Sequence, residues 1–466
     1  MTIIDAIMIF PSLFIVYFVY FIVLFHFNAY FFVCFHLFFA LFSLFHPLKI
    51  LILTFFSKNA SKNVLVFTFL FFYVTIVKRG LLIKRFIAHR KEISFMKITS
   101  FETWWVSRDH CLFDAKRQGG ASMNWDVMVI RVGTDAGIDG ISTCLAARSG
   151  GVTENYLYDN IAPVVMGRDP HDREAIWQEL WNIDRHLTFF PVYLPGPIDV
   201  ALWDICAKEA KLPLYKYIGA YRNSLPVYAS GNFHATVEEY VEEALYYKSL
   251  GISAYKAHPA GPAAFDMQVH QALRDAVGND YVLMSDPVGE YTMGDAVTIG
   301  RQLEHLNYKW LEEPFRDFEL YKYTELCRTL DIPIAATETT RGAHWGVAQS
   351  IAQKAADIVR ADVSWKDGVT GTLKIAHMAE AFGMNCEIHT TTMNYMDLVN
   401  LHVSCAIRNC EYFEYFVPED NYQLPMKGLL PIEDGIITVP DTPGIGAELD
   451  WELIQKACRS HKKLEL

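Results

Sequence analysis

The sequence predicts an α/β protein in which a closed parallel α/β barrel follows a smaller α+β unit. Three observations lead there. From Leu225 to Tyr415, eight short apolar runs alternate with helix-patterned segments, as repeated βα units in a parallel sheet require. Before them, from Met96, come runs of alternating polarity with a hairpin turn, followed by helical segments. Six consecutive barrel runs end in ionisable residues, where a purely structural barrel would place turn formers.

The 466 residues suffice for two or three domains. Residues 1–95 stand apart, holding about two-thirds of the 32 Phe and nine Lys/Arg against Asp5 and Glu92. From Ala6 to Leu48 there is no charged residue, enough for two membrane-crossing helices at about 20 residues each. A further apolar run, Val64 to Val77, precedes the basic residues Lys78, Arg79, Lys84, Arg85, Arg90 and Lys91. Two readings stand side by side. One is a transmembrane anchor within residues 6–77 whose basic flank keeps the rest of the chain in the cytoplasm. The other is an AT-rich stretch translated upstream of a natural start at Met96.

Beyond residue 95 the balance is 32 Lys/Arg against 51 Asp/Glu, a net charge of -19. Such a field repels polyanions and excludes nucleic acid as a partner. Nine Cys are scattered without a CxxC pair, which suits reduced, mostly buried thiols of a cytosolic protein.

Residues 96–224 read as the α+β unit. Met96–Trp105 and Asp126–Val132 are candidate strands, and Gly133-Thr-Asp-Ala-Gly-Ile-Asp-Gly140 turns into a third. The intervening residues, 106–125, form a polar loop containing Arg108, Asp109, His110, Lys116, Arg117 and Gly119-Gly120. A helix follows from Pro197, a residue suited to a first helical turn. Residues 225–415 read as the barrel, with strands Leu225–Ser230, Ala254–His258, Tyr281–Asp286, Lys309–Glu313, Ile332–Glu338, Asp357–Asp362, Met384–His389 and Tyr412–Tyr415. Helices Thr236–Leu250, Met293–Leu306 and Thr370–Phe382 lie between them. Residues 416–466 carry too many Pro and Gly for another βα unit and are expected to return to the first domain.

Barrels of this kind carry their chemistry at the C-terminal ends of the strands. Asp286, Glu312 and Glu338 end consecutive strands at intervals of 26 and 26 residues. Three converging carboxylates repel unless a hard divalent cation neutralises them, and an all-oxygen ligand set favours Mg²⁺ over zinc. For any single carboxylate, a salt bridge or helix cap would be the ordinary explanation. Three at matching strand ends point to a metal. Lys256 and His258, two apart on one strand, face the same side. His389 can accept a proton if Asp362 on the neighbouring strand orients its ring.

These residues carry a family resemblance. The motifs are Ile198-Asp-Val-Ala-Leu-Trp-Asp204, Lys256-x-His258, Ser285-Asp286, Trp310-Leu-Glu-Glu-Pro314, Ala336-Thr-Glu338, Asp362 with Gly368-Val-Thr-Gly371, His389 and Tyr412-Phe-Glu414. Over about 370 residues from Met96, the chain resembles the mandelate racemase subgroup of the enolase superfamily. The resemblance implies a modified (β/α)7β TIM-like barrel with an N-terminal α+β capping domain. It implies one Mg²⁺ per subunit on Asp286, Glu312 and Glu338, and Asp362–His389 as a general-base dyad. Glu414 would hydrogen-bond a substrate carboxylate oxygen, and the 106–125 loop would close over the substrate. Substrate choice would lie in Arg117 of that loop and in Trp365, His344 and Asn394 at the barrel end.

The implied reaction removes the proton next to a carboxylate in a small hydroxy acid, through an enediolate stabilised by Mg²⁺, Lys256 and Glu414. The sequence departs from the racemase at position 258, where His258 stands in place of a second Lys. Elimination of water from an aldonic or aldaric acid is therefore expected over two-base racemisation. A cycloisomerase acting on an anhydro or lactone sugar acid, or an epimerase, is the runner-up. A non-catalytic, membrane-anchored binding protein is the reading from another class, and the cost of keeping three unneutralised buried carboxylates argues against it. Barrels of this resemblance often assemble, so a homo-oligomer is expected.

Overall fold

The computed structural model describes residues 96–108, 125–147, 150–186, 194–259, 261–390, 395–418, 426–428 and 430–466. The apolar residues 1–95, loop residues 109–124 with Arg117, and Asn394 lie outside the described residues. Among the described residues, no helix is long and apolar enough to cross a membrane.

Alternating polarity builds three strands of a four-stranded antiparallel sheet after Met96, β1 (Ile98–Arg108), β2 (Trp125–Thr134) and β3 (Asp139–Ala147), and the C-terminal segment supplies the fourth. The hairpin between β2 and β3 needs Gly137, whose φ of +71° only glycine adopts without penalty. One face of the sheet buries Phe101, Met128, Ile130 and Val132 against Leu157, Ile161, Ile198, Leu202 and Ile205 of the following helices. β1 runs three residues past the expected end, because Val106, Ser107 and Arg108 pair with Val127, Asp126 and Trp125. The polar loop is correspondingly shorter than its charge pattern suggests.

The barrel follows as β4 (Ser224–Ser230), β5 (Ala254–Ala257), β6 (Val282–Ser285), β7 (Leu311–Glu312), β8 (Ile334–Ala336), β9 (Ile358–Ala361), β10 (Asn385–Ile388) and β11 (Phe413–Phe416). Parallel ladders join β4 through β10 in order, and β11 returns to pair with β4. Among the described residues, no ladder joins β10 to β11. That seam is stitched instead by Cys386 N–H to the Asn409 carbonyl (2.7 Å), Glu411 N–H to the Glu387 carboxylate (3.1 Å) and Thr390 Oγ1 to the Glu414 carbonyl (3.2 Å). Most strands are shorter than their apolar runs suggest. His258, Asp286, Glu338, Asp362 and His389 all fall one or two residues past the last paired position, where the backbone is free to turn.

The helices start where local chemistry dictates. Thr236 and Thr292 each cap a helix reciprocally with the acidic residue three positions on, Glu239 and Asp295. The motif Ile198–Asp204 proves to be a docking device. Asp199, on helix Pro195–Glu209, accepts from Thr370 N (2.8 Å) and Thr370 Oγ1 (2.6 Å), and so caps barrel helix Gly368–Ala381. Burial pushes its carboxyl up to about 7. The approach is close enough that a Cβ on Gly368 would lie 2.4 Å from Asp199 Oδ2. Asp204 accepts from the backbone N–H groups of Ile141 and Ile445 (3.0 Å each), tying the sheet to the C-terminal segment.

That segment first adds a hairpin, β12 (Ile432–Glu433) and β13 (Ile436–Thr438), antiparallel to the start of β4. It then sends β14 (Cys458–Glu465) back along β1, with Ser100 opposite Glu465 and Val106 opposite Cys458.

Candidate active site

Three carboxylates meet at the C-terminal ends of β6, β7 and β8. Asp286, Glu312 and Glu338 each offer an oxygen within 4.8 Å of the others. The backbone is bent to achieve this. Glu313 (φ +39°) and Thr337 (φ +86°) are left-handed non-glycine residues, a conformation rare for a β-branched side chain such as Thr337. Thr337 is held by donating to the Arg360 carbonyl (2.8 Å) and accepting from Arg360 N–H (3.1 Å), which aims Glu338 inward. Glu313 accepts from Glu338 N–H (2.9 Å) and from the Tyr323 hydroxyl (3.0 Å). Asp286 Oδ1 accepts from Val288 N–H (2.8 Å), and Glu312 Oε2 from Trp310 Nε1 (2.8 Å).

Lys256, fully buried on β5, lies 2.6 Å from Glu414 Oε1, 2.9 Å from Glu312 Oε1 and 3.5 Å from Asp286 Oδ2. Burial opposes its charge, but Glu312 and Glu414 raise the ammonium well above the ordinary lysine range.

Two histidines flank the triad. His258 Nδ1 lies 2.7 Å from the Gly231 carbonyl, which only a protonated Nδ1 can satisfy. That sets the plane of the ring and turns Nε2 toward Asp286 Oδ2, 3.4 Å away, so any proton His258 gives to the site must be a second one, carried on Nε2. On the opposite side, His389 Nδ1 lies 2.5 Å from Asp362 Oδ2 and its Nε2 lies 3.3 Å from Glu338 Oε1. Asp362 is itself oriented, its other oxygen accepting from Ser364 N–H and Trp365 N–H (2.6 Å each). Burial lowers the His389 pKa, yet Glu338 and Asp362 outweigh burial and lift it to about 9.

The donor set fits a hard divalent cation. Burial and the charges of Asp286 and Glu312 raise the Glu338 carboxyl, so the three repel as they stand. Among the described residues, Asp286, Glu312, Glu338, Asp362 and Glu414 face Lys256, Arg360, His389 and His258, four cations at most, which leaves at least one negative charge uncompensated. Glu313 and Lys366, buried nearby, cancel one another when both are ionised.

The remaining expected residues are placed differently. Trp365 is half-buried in the turn after β9, where its backbone clamps Asp362. His344 lies tilted against Trp345 (4.2 Å between ring centroids) and neighbours Trp177 (5.6 Å), between barrel helix Ala343–Ala352 and helix Arg173–His186. Glu414 is fully engaged. Oε1 takes Lys256 and Ser230 Oγ (2.9 Å), while Oε2 takes Arg360 Nη2 and Thr390 N–H (3.2 Å). All its acceptor sites are therefore used by protein donors.

Comparison with known proteins agrees with this geometry. Residues 119–219 match the N-terminal domain model of mandelate racemase / muconate lactonizing enzyme, and residues 239–453 match the enolase C-terminal domain-like model. L-talarate/galactarate dehydratase of Salmonella typhimurium is 30% identical over 335 residues, covering 69% of this chain and 80% of that protein. The chain belongs to the mandelate racemase/muconate lactonizing enzyme family of the enolase superfamily. Another family member, D-galactarolactone cycloisomerase of Agrobacterium fabrum, is 27% identical over 355 residues, 72% of this chain and 92% of its own. The crystal structure of D-glucarate dehydratase from Agrobacterium tumefaciens, complexed with magnesium, superposes with a TM-score of 0.71 at 31% identity, covering 79% of this chain and all of that one. The family fold, a TIM barrel with an N-terminal capping domain, is the one expected from the sequence, with its ladder open at the β10–β11 seam.

Two residues of the site escaped the strand-end pattern. Arg360 lies within β9, two positions before Asp362, and a lone Arg in the apolar run Ile358-Val-Arg-Ala361 was the available signal. Phe416 ends β11 with its ring centroid 6.4 Å from that of His258 and 6.3 Å from that of His389. Nothing in its sequence context distinguishes it from a core Phe.

Proposed function

We propose that the chain is a Mg²⁺-dependent dehydratase of an aldonic or aldaric acid. The observation that carries this reading is the pair of imidazole Nε2 atoms set against opposite flanks of one carboxylate triad, 3.4 Å from Asp286 and 3.3 Å from Glu338. Asp286, Glu312 and Glu338 would hold the cation. When bound, Mg²⁺ supplies a positive field that makes a neighbouring substrate carboxylate tolerate the second negative charge of an enediolate.

Lys256, itself buried, adds a preorganised ammonium at the same carboxylate. With a cation neutralising Glu338, the main charge that holds its proton, His389 would be neutral, and, its ring fixed by Asp362, takes the α-proton on Nε2. The electron pair left on the α-carbon then expels the β-hydroxyl. That group leaves as water with a proton from His258, whose Nδ1 is committed to Gly231 and whose Nε2 faces the site. The enol that remains tautomerises to a 2-keto acid.

Similarity to a cycloisomerase supports a second outcome, in which the enediolate expels a ring oxygen of a lactone and no water is lost. Mass analysis of products from a panel of aldonic, aldaric and lactone acids, galactarate included, distinguishes the two. Dehydration gives a keto acid lighter by one water, whereas cycloisomerisation gives a product of unchanged mass. Activity that survives exhaustive EDTA treatment would remove the cation from the reading.

A further inference from the structure

Lys256, Glu312, Arg360 and Glu414 form a closed ring of alternating charge in the middle of the barrel. Lys256 lies 2.9 Å from Glu312 and 2.6 Å from Glu414. Arg360 completes the circuit, with Nε 3.0 Å from Glu312 Oε1 and Nη2 bonded to Glu414 Oε2. Nη1 donates to the Glu387 carbonyl (3.3 Å), which fixes the plane of the guanidinium. All four side chains are essentially fully buried. Desolvating a guanidinium is costly, and the cost is offset only when every partner is well oriented. Here Nη2 orients Glu414 by a hydrogen bond, while Nε holds Glu312 as a charge pair at 3.0 Å without hydrogen-bond alignment.

This geometry carries two consequences of opposite sign. Arg360 adds positive charge beside Glu312, one corner of the triad, and so opposes a cation arriving there. It also fixes Glu414, the nearest partner of Lys256 at 2.6 Å, and so holds the ammonium beside Glu312 and Asp286 at the triad's edge.

We propose that Arg360 is a positioning residue that orders Glu312, Glu414 and Lys256 for the reaction at the expense of divalent-cation affinity. The proposal rests on the reading of Asp286, Glu312 and Glu338 as the cation site. A side chain that merely filled the barrel would give the other pattern on replacement, with cation binding and turnover declining together.

The test is Mn²⁺ titration of the full chain, followed by electron paramagnetic resonance, beside kcat and KM on the acid that proves to be the substrate. In R360Q the charge is gone, and Mn²⁺ should bind about tenfold tighter, as for one unit charge at short range in a screened interior, while kcat falls about a hundredfold. In R360K the charge remains without the fork, so Mn²⁺ affinity should stay within about twofold while kcat falls about tenfold. Weaker or unchanged Mn²⁺ binding in a folded R360Q overturns the proposal. So does wild-type kcat in R360K, the variant that carries the test if R360Q fails to fold. If the wild-type chain binds no Mn²⁺, the cation reading itself is wrong and the proposal falls with it, an outcome separate from either variant's behaviour.

Discussion

His258 and His389 present the same atom, Nε2, to opposite ends of one acidic cluster, each with its Nδ1 already committed to a fixed acceptor. The acceptors differ in kind. His389 leans on the carboxylate of Asp362 at 2.5 Å, and His258 on the neutral carbonyl of Gly231 at 2.7 Å. A carboxylate supports the positive imidazolium that follows proton capture more strongly than a carbonyl does. In the proposed reaction, that asymmetry is the reason to take His389 as the base and His258 as the acid.

The assignment separates exchange from elimination. H389N should lose both α-proton exchange in deuterated water and turnover, by about 10²–10⁴-fold. H258N should keep exchange measurable while dehydration drops by a comparable factor. Proton NMR of substrate and product reads both at once, and loss of exchange in H258N would reverse the two roles.

Cation binding should show in stability as well as in rate. Mg²⁺ at a hundred times its dissociation constant should stabilise the wild-type chain by about 2.7 kcal/mol, visible as a higher Tm. E338Q, with one repelling carboxylate removed, should be no less stable than wild type without metal, yet should show little shift on adding Mg²⁺. An equal shift in E338Q would take Glu338 out of the ligand set.

Phe416 can be tested independently of charge. Its half-buried ring lies close to both imidazoles, stacked near His258 at 20° and edge-on to His389 at 89°. F416A should raise KM and lower kcat, each by about tenfold, while costing less than the ~3 kcal/mol typical of truncating a buried Phe. F416L should recover much of KM. Steady-state kinetics with urea unfolding checks this, and unchanged kinetics in F416A would make the ring mere packing.

His402 sets an acid limit far from the chemistry. It accepts from Tyr215 N–H on Nδ1 (3.1 Å) and donates from Nε2 to the Ile445 carbonyl (2.9 Å), so it is held neutral. Burial lowers its pKa from 6.5 to about 4. Below about pH 6.5 the unfolded chain takes up a proton that the folded chain refuses. Stability is therefore present above that pH and lost as pH falls toward about 4, by up to about 3 kcal/mol. Urea unfolding from pH 7.5 to 5 should give a shallower pH slope for H402Q than for wild type.

Much of this architecture was legible because barrel strands leave local marks. Short apolar runs alternating with helical segments, and an ionisable residue at six consecutive strand ends, are short-range patterns, and they led to the triad and to the pairing of Asp362 with His389. The Arg360–Glu414 contact joins residues 54 apart on non-adjacent strands, and no spacing rule encodes it. The saturation of Glu414 was hidden for the same reason, since its four donors come from β4, β5, β9 and the turn after β10. The short β7 also escaped, because Glu313 turns left-handed immediately after Glu312 and ends a run whose composition would have continued.

The partnership of β14 with β1 separates the order of synthesis from the order of assembly. While a ribosome is still making the barrel, the capping sheet is unfinished, and Phe101 to Val106 present an unpaired strand border to the surroundings. Only when residues 458–465 emerge can that border be covered. The first described strand thus waits for the last, and an open β edge is the feature by which nascent chains associate with one another.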